Sequence, residues 1–364
     1  NAWQPYAALP PMPRPELLYP NSEQFQNSTG LTGCTIVVEC GQCPECTSWK
    51  SCRSRMHQEA ECLQNGYSPQ PLDACPKAFL HLLDEGGDGV SQAFTDLLLR
   101  AQRRSRSWVC VGLDPVPERL PASVRAADNP LMAFGCAIVE ATADVVCAFK
   151  PNLAFWLAAG VTGLAALKAV IAAVPEDVPV VLDAKFGDIG HTAASYARSA
   201  FDELGADAVT LNPYLGVDAV RPFLEWEGKG VFLLARTSNP SAGQVQDLQV
   251  EGRPLYQWIA GWVHDWAVAY PGACGLVVGA TYPQELADVR SLAPDLPFLI
   301  PGVGAQGGSL ADAVAYGPSG SLGPLINSSR GIIFASAGPD FAAAARAAAV
   351  ELNAQITAQR EAMQ

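Results

Sequence analysis

The sequence predicts an α/β protein: a (β/α)8 TIM barrel preceded by a small Cys-rich, disulfide-stabilised N-terminal module. Three observations lead there. Eight short apolar runs alternate with Ala- and Leu-rich amphipathic stretches from residue 108 onward, and continuous apolar strands between helices imply a parallel sheet covered on its faces. Eight such units in roughly 270 residues fit a closed barrel better than an open doubly wound sheet. No G-x-G-x-x-G follows the first strand, which disfavours a dinucleotide fold. Finally, seven of the 11 cysteines fall between Cys34 and Cys75, whereas Cys110, Cys136, Cys147 and Cys274 stand singly. Two regions with such different cysteine usage suggest two redox histories and a composite chain.

The elements follow in order. Residues 1–33, rich in Pro, Asn and Ser, read as an extended arm, with a glycosylation sequon at Asn27-Ser28-Thr29. Residues 34–83 form the Cys-rich module, ending in a short apolar helix over 78–83. Its cysteine density is that of a disulfide scaffold of secreted type. The spacing C-x2-C-x2-C-x5-C (Cys40, Cys43, Cys46, Cys52), with His57 nearby, leaves a metal site open, but it lacks the C-x3-C-P ending of a bacterial iron–sulfur run. The odd count leaves one thiol free or paired elsewhere. Residues 84–90 are a Gly-rich linker, and residues 91–364 are the barrel. Its strands are expected at 108–113, 145–150, 178–184, 207–212, 230–235, 274–279, 297–301 and 331–335. Helices are expected near 130–144, 162–174, 191–204, 216–226, 254–269, 283–293, 308–315 and 339–358. Residues 238–252 show no clear period and read as a lid.

Composition narrows the function. A net charge of −13 argues against nucleic acid as a partner. Every apolar run is broken too early to cross a membrane. No signal-peptide pattern opens the chain, although a first residue of Asn rather than Met leaves a removed leader open.

Barrel active sites lie at the C-terminal ends of the strands. Polar residues collect there: Asp114 after strand 1, Lys150 on strand 2, and Asp183, Lys185 and Asp188 on and after strand 3. Asp183 and Lys185 are two apart, so a regular strand sends both to one side. Charges there are costly unless paired, so Asp183, Lys185, Lys150 and Asp188, two acids and two bases, make either a catalytic cluster or an ion-pair network closing the barrel top. The Gly-rich stretch 302–308 and Arg330 stand where barrels often bind phosphate; the alternative is a plain turn with a surface arginine.

These residues resemble a known family. Gly112-Leu113-Asp114-Pro115, Phe149-Lys150-Pro151-Asn152, Asp183-x-Lys185-x-x-Asp188-Ile189, Arg236-Thr237-Ser238-Asn239-Pro240 and Pro301-Gly302-Val303-Gly304-Ala305-Gln306, in this order, are similar to orotidine 5′-phosphate decarboxylase, in its longer bacterial subgroup. The resemblance covers about residues 91–360. It implies a cofactor-free, metal-free decarboxylation of orotidine 5′-phosphate to uridine 5′-phosphate by a cytoplasmic homodimer. In that reading Lys185 stabilises the C6 carbanion and then protonates it. Asp183 sits against the departing carboxylate, Lys150 holds Asp183 and a ribose hydroxyl, and Asp114 binds a ribose hydroxyl. Asp188, Ile189 and Thr192 reach the neighbouring subunit's site across the barrel mouth. Ser238 reads the pyrimidine edge, Pro301 belongs to the substrate pocket, and Gln306 and Arg330 grip the phosphate. Ser329 departs from the commonest pattern, which has Gly before the arginine.

Two other readings remain. In one, the chain is a chimera whose Cys-rich fragment binds an unknown protein partner through residues 1–88 while the barrel is a carrier. In the other, the barrel is a metal-dependent sugar-phosphate lyase or synthase, which Lys150 and Ser238 disfavour.

Overall fold

The computed structural model describes residues 93–270, 273–303 and 307–363. The arm, Cys-rich module and linker expected over residues 1–90 lie outside the described residues, as does Gln306.

Eight parallel strands make a nearly closed barrel: β1 (Val109–Leu113), β2 (Ala148–Pro151), β3 (Val181–Phe186), β4 (Ala208–Leu211), β5 (Gly230–Arg236), β6 (Ala273–Val278), β7 (Phe298–Pro301) and β8 (Leu325–Ser328). They pair in the order β2-β1-β8-β7-β6-β5-β4-β3. Two single bridges, Phe149 to Val180 and Asn152 to Asp183, join β2 to β3 across the remaining gap. The strands are short and almost wholly buried because helices cover their outer faces. Those helices are α2 (Pro130–Thr142), α3 (Gly160–Ala172), α4 (Gly190–Arg198), α5 (Val217–Leu224), α6 (Leu255–Ala269), α7 (Pro283–Leu292), α8 (Leu310–Tyr316) and α9 (Phe341–Ala362), with α1 (Ala93–Ser105) ahead of β1. Local chemistry sets several of their starts. The Asn129 side chain accepts the Met132 N–H ahead of α2, with Pro130 in its first turn, and Ser309 accepts the Asp312 N–H ahead of α8.

The main core lies between strands and helices. A second, smaller cluster fills the barrel interior at the N-terminal ends of the strands, where Phe94 and Leu98 of α1 meet Cys110, Cys147, Val181, Phe232, Val277 and Leu299. Helix α1 therefore plugs the base of the barrel. Phe94 packs edge-on against Phe232, ring centroids 5.7 Å apart, over Gly230, where a Cβ would stand 2.6 Å from the Phe94 ring.

The expected eighth strand is corrected. Residues 331–335 are not a strand: Arg330–Ile333 is a helical turn and β8 precedes it. A five-residue apolar run does not distinguish a buried strand from a buried helical turn, and here Ile332 and Ile333 are buried as the turn. The segment 238–252 holds a short helix, Gly243–Gln246, and a two-residue hairpin pairing Gln249–Val250 with Arg253–Pro254. Beneath it the buried Arg236 donates to Gln246 Oε1 (3.2 Å) and Asp247 Oδ2 (3.3 Å), and its guanidinium stacks on Tyr282, 4.1 Å from the ring centroid.

Candidate active site

Strand β3 organises the site through an irregularity. Leu182 pairs with Val209 and Phe186 with Leu211, so Asp183, Ala184 and Lys185 all stand opposite Thr210. This bulge lets Lys185 adopt φ +50°, in the left-handed region that a side chain rarely occupies. Strand alternation alone put Asp183 and Lys185 on one side; they do meet, but across distorted backbone rather than regular strand.

Asp183 is the hub. Its Oδ2 accepts from Lys150 Nζ (2.7 Å), and its Oδ1 pairs with Lys185 Nζ and accepts from Thr210 Oγ1 (2.9 Å). Lys150 and Asp183 are both buried, whereas the Lys185 side chain is 45% exposed. Burial alone would raise the Asp183 pKa, but the two ammonium groups, by charge and hydrogen bond, hold it well below the ordinary carboxylate value. Burial likewise pulls the Lys150 pKa down, and Asp183 and Asp114 outweigh it, so Lys150 ends above its usual value and stays an ammonium.

A cavity of ≈ 390 Å³ opens over this hub, lined by Asp114, Lys150, Asn152, Phe155, Asp183, Pro301, Asn327 and Arg330 among others. Two buried oxygens there, Asp114 Oδ1 and Asn327 Oδ1, have no hydrogen-bond partner among the described residues. Buried acceptors are rarely left unpaired, and both of these belong to residues that line the cavity. The β7 end turns back on itself, Gly308 N–H donating to Gly302 C=O (3.1 Å). Arg330 begins the helical turn after β8. The unusual Ser329 has its room provided: a Cβ on Gly112 would fall 1.8 Å from Ser329 Oγ, so the glycine of β1 accommodates the serine.

Of the residues singled out by sequence, Asp114, Lys150, Asp183, Pro301 and Arg330 line the cavity, and Lys185 joins them through its ion pair with Asp183. Asp188, Ile189 and Thr192 do not line it. Asp188 caps the Ile189 N–H (2.8 Å) at the exposed start of α4, on the rim. Ser238 also stands outside the lining, against Gly279 beyond the end of β5. Sequence reading missed Thr210 and Phe155 and gave Asn152 and Asn327 no role. Among the described residues, no three His, Cys, Asp or Glu side chains group as a metal site would require.

A family model described as Orotidine 5′-phosphate decarboxylase / HUMPS family matches residues 107–348. An orotidine 5′-phosphate decarboxylase of Thermomicrobium roseum is 49% identical over 260 residues, covering 71% of this chain and 92% of the relative. One from Verminephrobacter eiseniae is 50% identical over 277 residues, covering 73% of this chain and 99% of the relative. Among solved structures, an OMP decarboxylase from Leishmania donovani superposes with a TM-score of 0.64 at 43% identity, over 73% of this chain and 98% of that one.

Proposed function

The chain belongs to the orotidine 5′-phosphate decarboxylase / HUMPS family and decarboxylates orotidine 5′-phosphate to uridine 5′-phosphate, and we propose that it does so with the Lys150–Asp183–Lys185 cluster at the barrel mouth. The observation that carries this is the half-exposed Lys185 ammonium held on a buried carboxylate beside the cavity. Loss of CO2 leaves an electron pair on C6 in the ring plane, out of reach of the π system. A fixed ammonium stabilises that pair without reorganising at the moment of reaction, and then donates its proton to C6. Asp183 cannot donate the proton, because its two ammonium partners keep it ionised. Its charge faces the substrate carboxylate until CO2 departs. Lys150 neutralises Asp183 from the buried side.

The unpartnered oxygens of Asp114 and Asn327 are suited to accept hydrogen bonds from the ribose hydroxyls and the base. Arg330, on the cavity wall, supplies a guanidinium for the phosphate, together with Gln306. Binding energy from that remote phosphate then contributes to catalysis at C6. Ser238 reads the pyrimidine edge in this scheme. Asp188, Ile189 and Thr192 act across a twofold interface at the mouth. Support for such a dimer comes from the rim, where Ile189 is 56% exposed after β3 and Tyr214 80% exposed after the neighbouring β4. We further propose that residues 34–83 are a disulfide-paired module joined by the linker 84–90 to the barrel; the support is its cysteine density. Neither the carrier reading nor the metal-dependent reading is supported by the comparisons.

The test is ultraviolet-monitored decarboxylation of orotidine 5′-phosphate by the chain and its Lys185→Ala variant. The variant is expected to lose about a thousandfold or more in kcat, the scale of a removed transition-state electrostatic contact. A folded Lys185→Ala protein turning over like the parent would overturn the mechanism.

A further inference from the structure

We infer that Thr210 is a positioning residue for the decarboxylation, which sets the geometry of Lys185 through a single hydroxyl. The inference rests on the reading of the site given above. It starts from the bulge: three residues of β3 stand opposite one residue of β4, and that residue is Thr210. A bulge leaves ladder groups unpaired, and here the Lys185 N–H is one of them. Thr210 Oγ1 accepts it at 2.9 Å. The same hydroxyl donates its proton to Asp183 Oδ1, also at 2.9 Å. Thr210 is 1% exposed, so water does not take its place.

One side chain thus ties the backbone of the proton donor to the carboxylate that holds that donor's ammonium. The tie matters because Lys185 is at φ +50°. A non-glycine residue stays in that region only where its surroundings over-determine it. The ladder does not do so here, because the bulge has broken it; the Thr210 hydroxyl does. The carboxylate is fixed in the same way, with Lys150 on Oδ2 and with Lys185 and Thr210 on Oδ1. Without the hydroxyl, Lys185 can relax toward ordinary strand geometry, which moves its ammonium relative to the cavity. Thr210 does not line the cavity, so it acts through Lys185 and Asp183 and not on substrate.

Valine has the shape of threonine without the hydroxyl, and serine keeps the hydroxyl without the methyl. Thr210→Val is expected to lower kcat by about 10- to 100-fold with KM changed less than about threefold, the pattern of an interaction that matters only in the transition state. Thr210→Ser is expected to stay within about threefold of the parent. The Lys185 amide, followed by hydrogen exchange, is expected to exchange faster in Thr210→Val and at the parental rate in Thr210→Ser. The exchange readout needs no turnover, so it judges the tie even if the parent protein proves inactive, an outcome that would sink the catalytic reading instead. The inference is overturned if Thr210→Val keeps the parental kcat and exchange rate. It is equally overturned if Thr210→Ser is as impaired as Thr210→Val, since the methyl and not the hydroxyl would then matter. Should Thr210→Val fail to fold, Thr210→Ala against Thr210→Ser makes the same comparison.

Discussion

Asp183 gathers two ammonium groups and a hydroxyl on one buried carboxylate, and its ionisation is coupled to the stability of the barrel. Its pKa is depressed in the folded state. Its stabilising contribution is therefore present above the unfolded carboxylate value of about 3.9 and is lost as pH falls through the lower folded value. Removing the carboxylate leaves the Lys150 ammonium buried with its nearest counter-ion gone. Asp183→Ala is expected to cost about 3 kcal/mol at pH 7 by urea unfolding, the scale of a broken buried ion pair. That cost should shrink below about pH 4, where the parent begins to lose the same contribution; a cost independent of pH would contradict the assignment. The charged residues of the site were legible because Asp and Lys at the ends of apolar strands demand partners. Thr210 and the role of Asn327 were not. A threonine in Ala-Val-Thr-Leu is what any strand carries, and its function depends on a bulge that no residue type in β3 announces. Ser238 and the rim residues were named by resemblance, and their positions outside the cavity lining had no signal in the sequence.

Among the elements, α1 shows most clearly what the sequence left unread. Its residues look like an ordinary amphipathic helix ahead of the first strand, yet Phe94 and Leu98 fill the barrel interior from below. A barrel of eight strands needs its interior filled by side chains, and here a helix outside the repeating units supplies some of them. Phe94→Ala is expected to destabilise the protein by about 3–5 kcal/mol in denaturant unfolding, the usual result of emptying a large core site. A change below about 1 kcal/mol would mean that α1 is not a structural plug. The repeating units themselves were readable from their periodicity, except the last. There the strand is only Leu325–Ser328 and ends in polar residues, so the stronger apolar run after it drew the assignment. The segment after β5 was read as a lid for want of a period; the structure adds an anchor, because Arg236 pins Gln246 and Asp247 from beneath.

At the scale of the whole molecule, the strand order and the closure between β2 and β3 bring Asp114, Lys150, Asp183 and Arg330, drawn from β1, β2, β3 and β8 and the turns that follow them, to one mouth. The exposed rim beside that mouth leads to a prediction about assembly. Ile189→Asp is expected to shift the protein from dimer to monomer in sedimentation velocity and to lower activity with it; a parent that sediments as a monomer at micromolar concentration would remove the twofold interface. The four cysteines of the barrel have a different consequence. Cys110, Cys147 and Cys274 are buried, and burial pushes Cys110 and Cys274 up to about 12 and Cys147 well above its ordinary value. Cys136, half-buried, is raised too. Thiolates are the reactive form, so the three buried thiols are nearly silent toward alkylating reagents at neutral pH, and Cys136 contributes at most one background adduct. Labelling the intact chain in a Cys136→Ser background therefore reads mainly the seven cysteines between Cys34 and Cys75. Little uptake before reduction and several adducts after it would identify paired sulfurs there, and equal uptake in both states would leave the disulfide module without support.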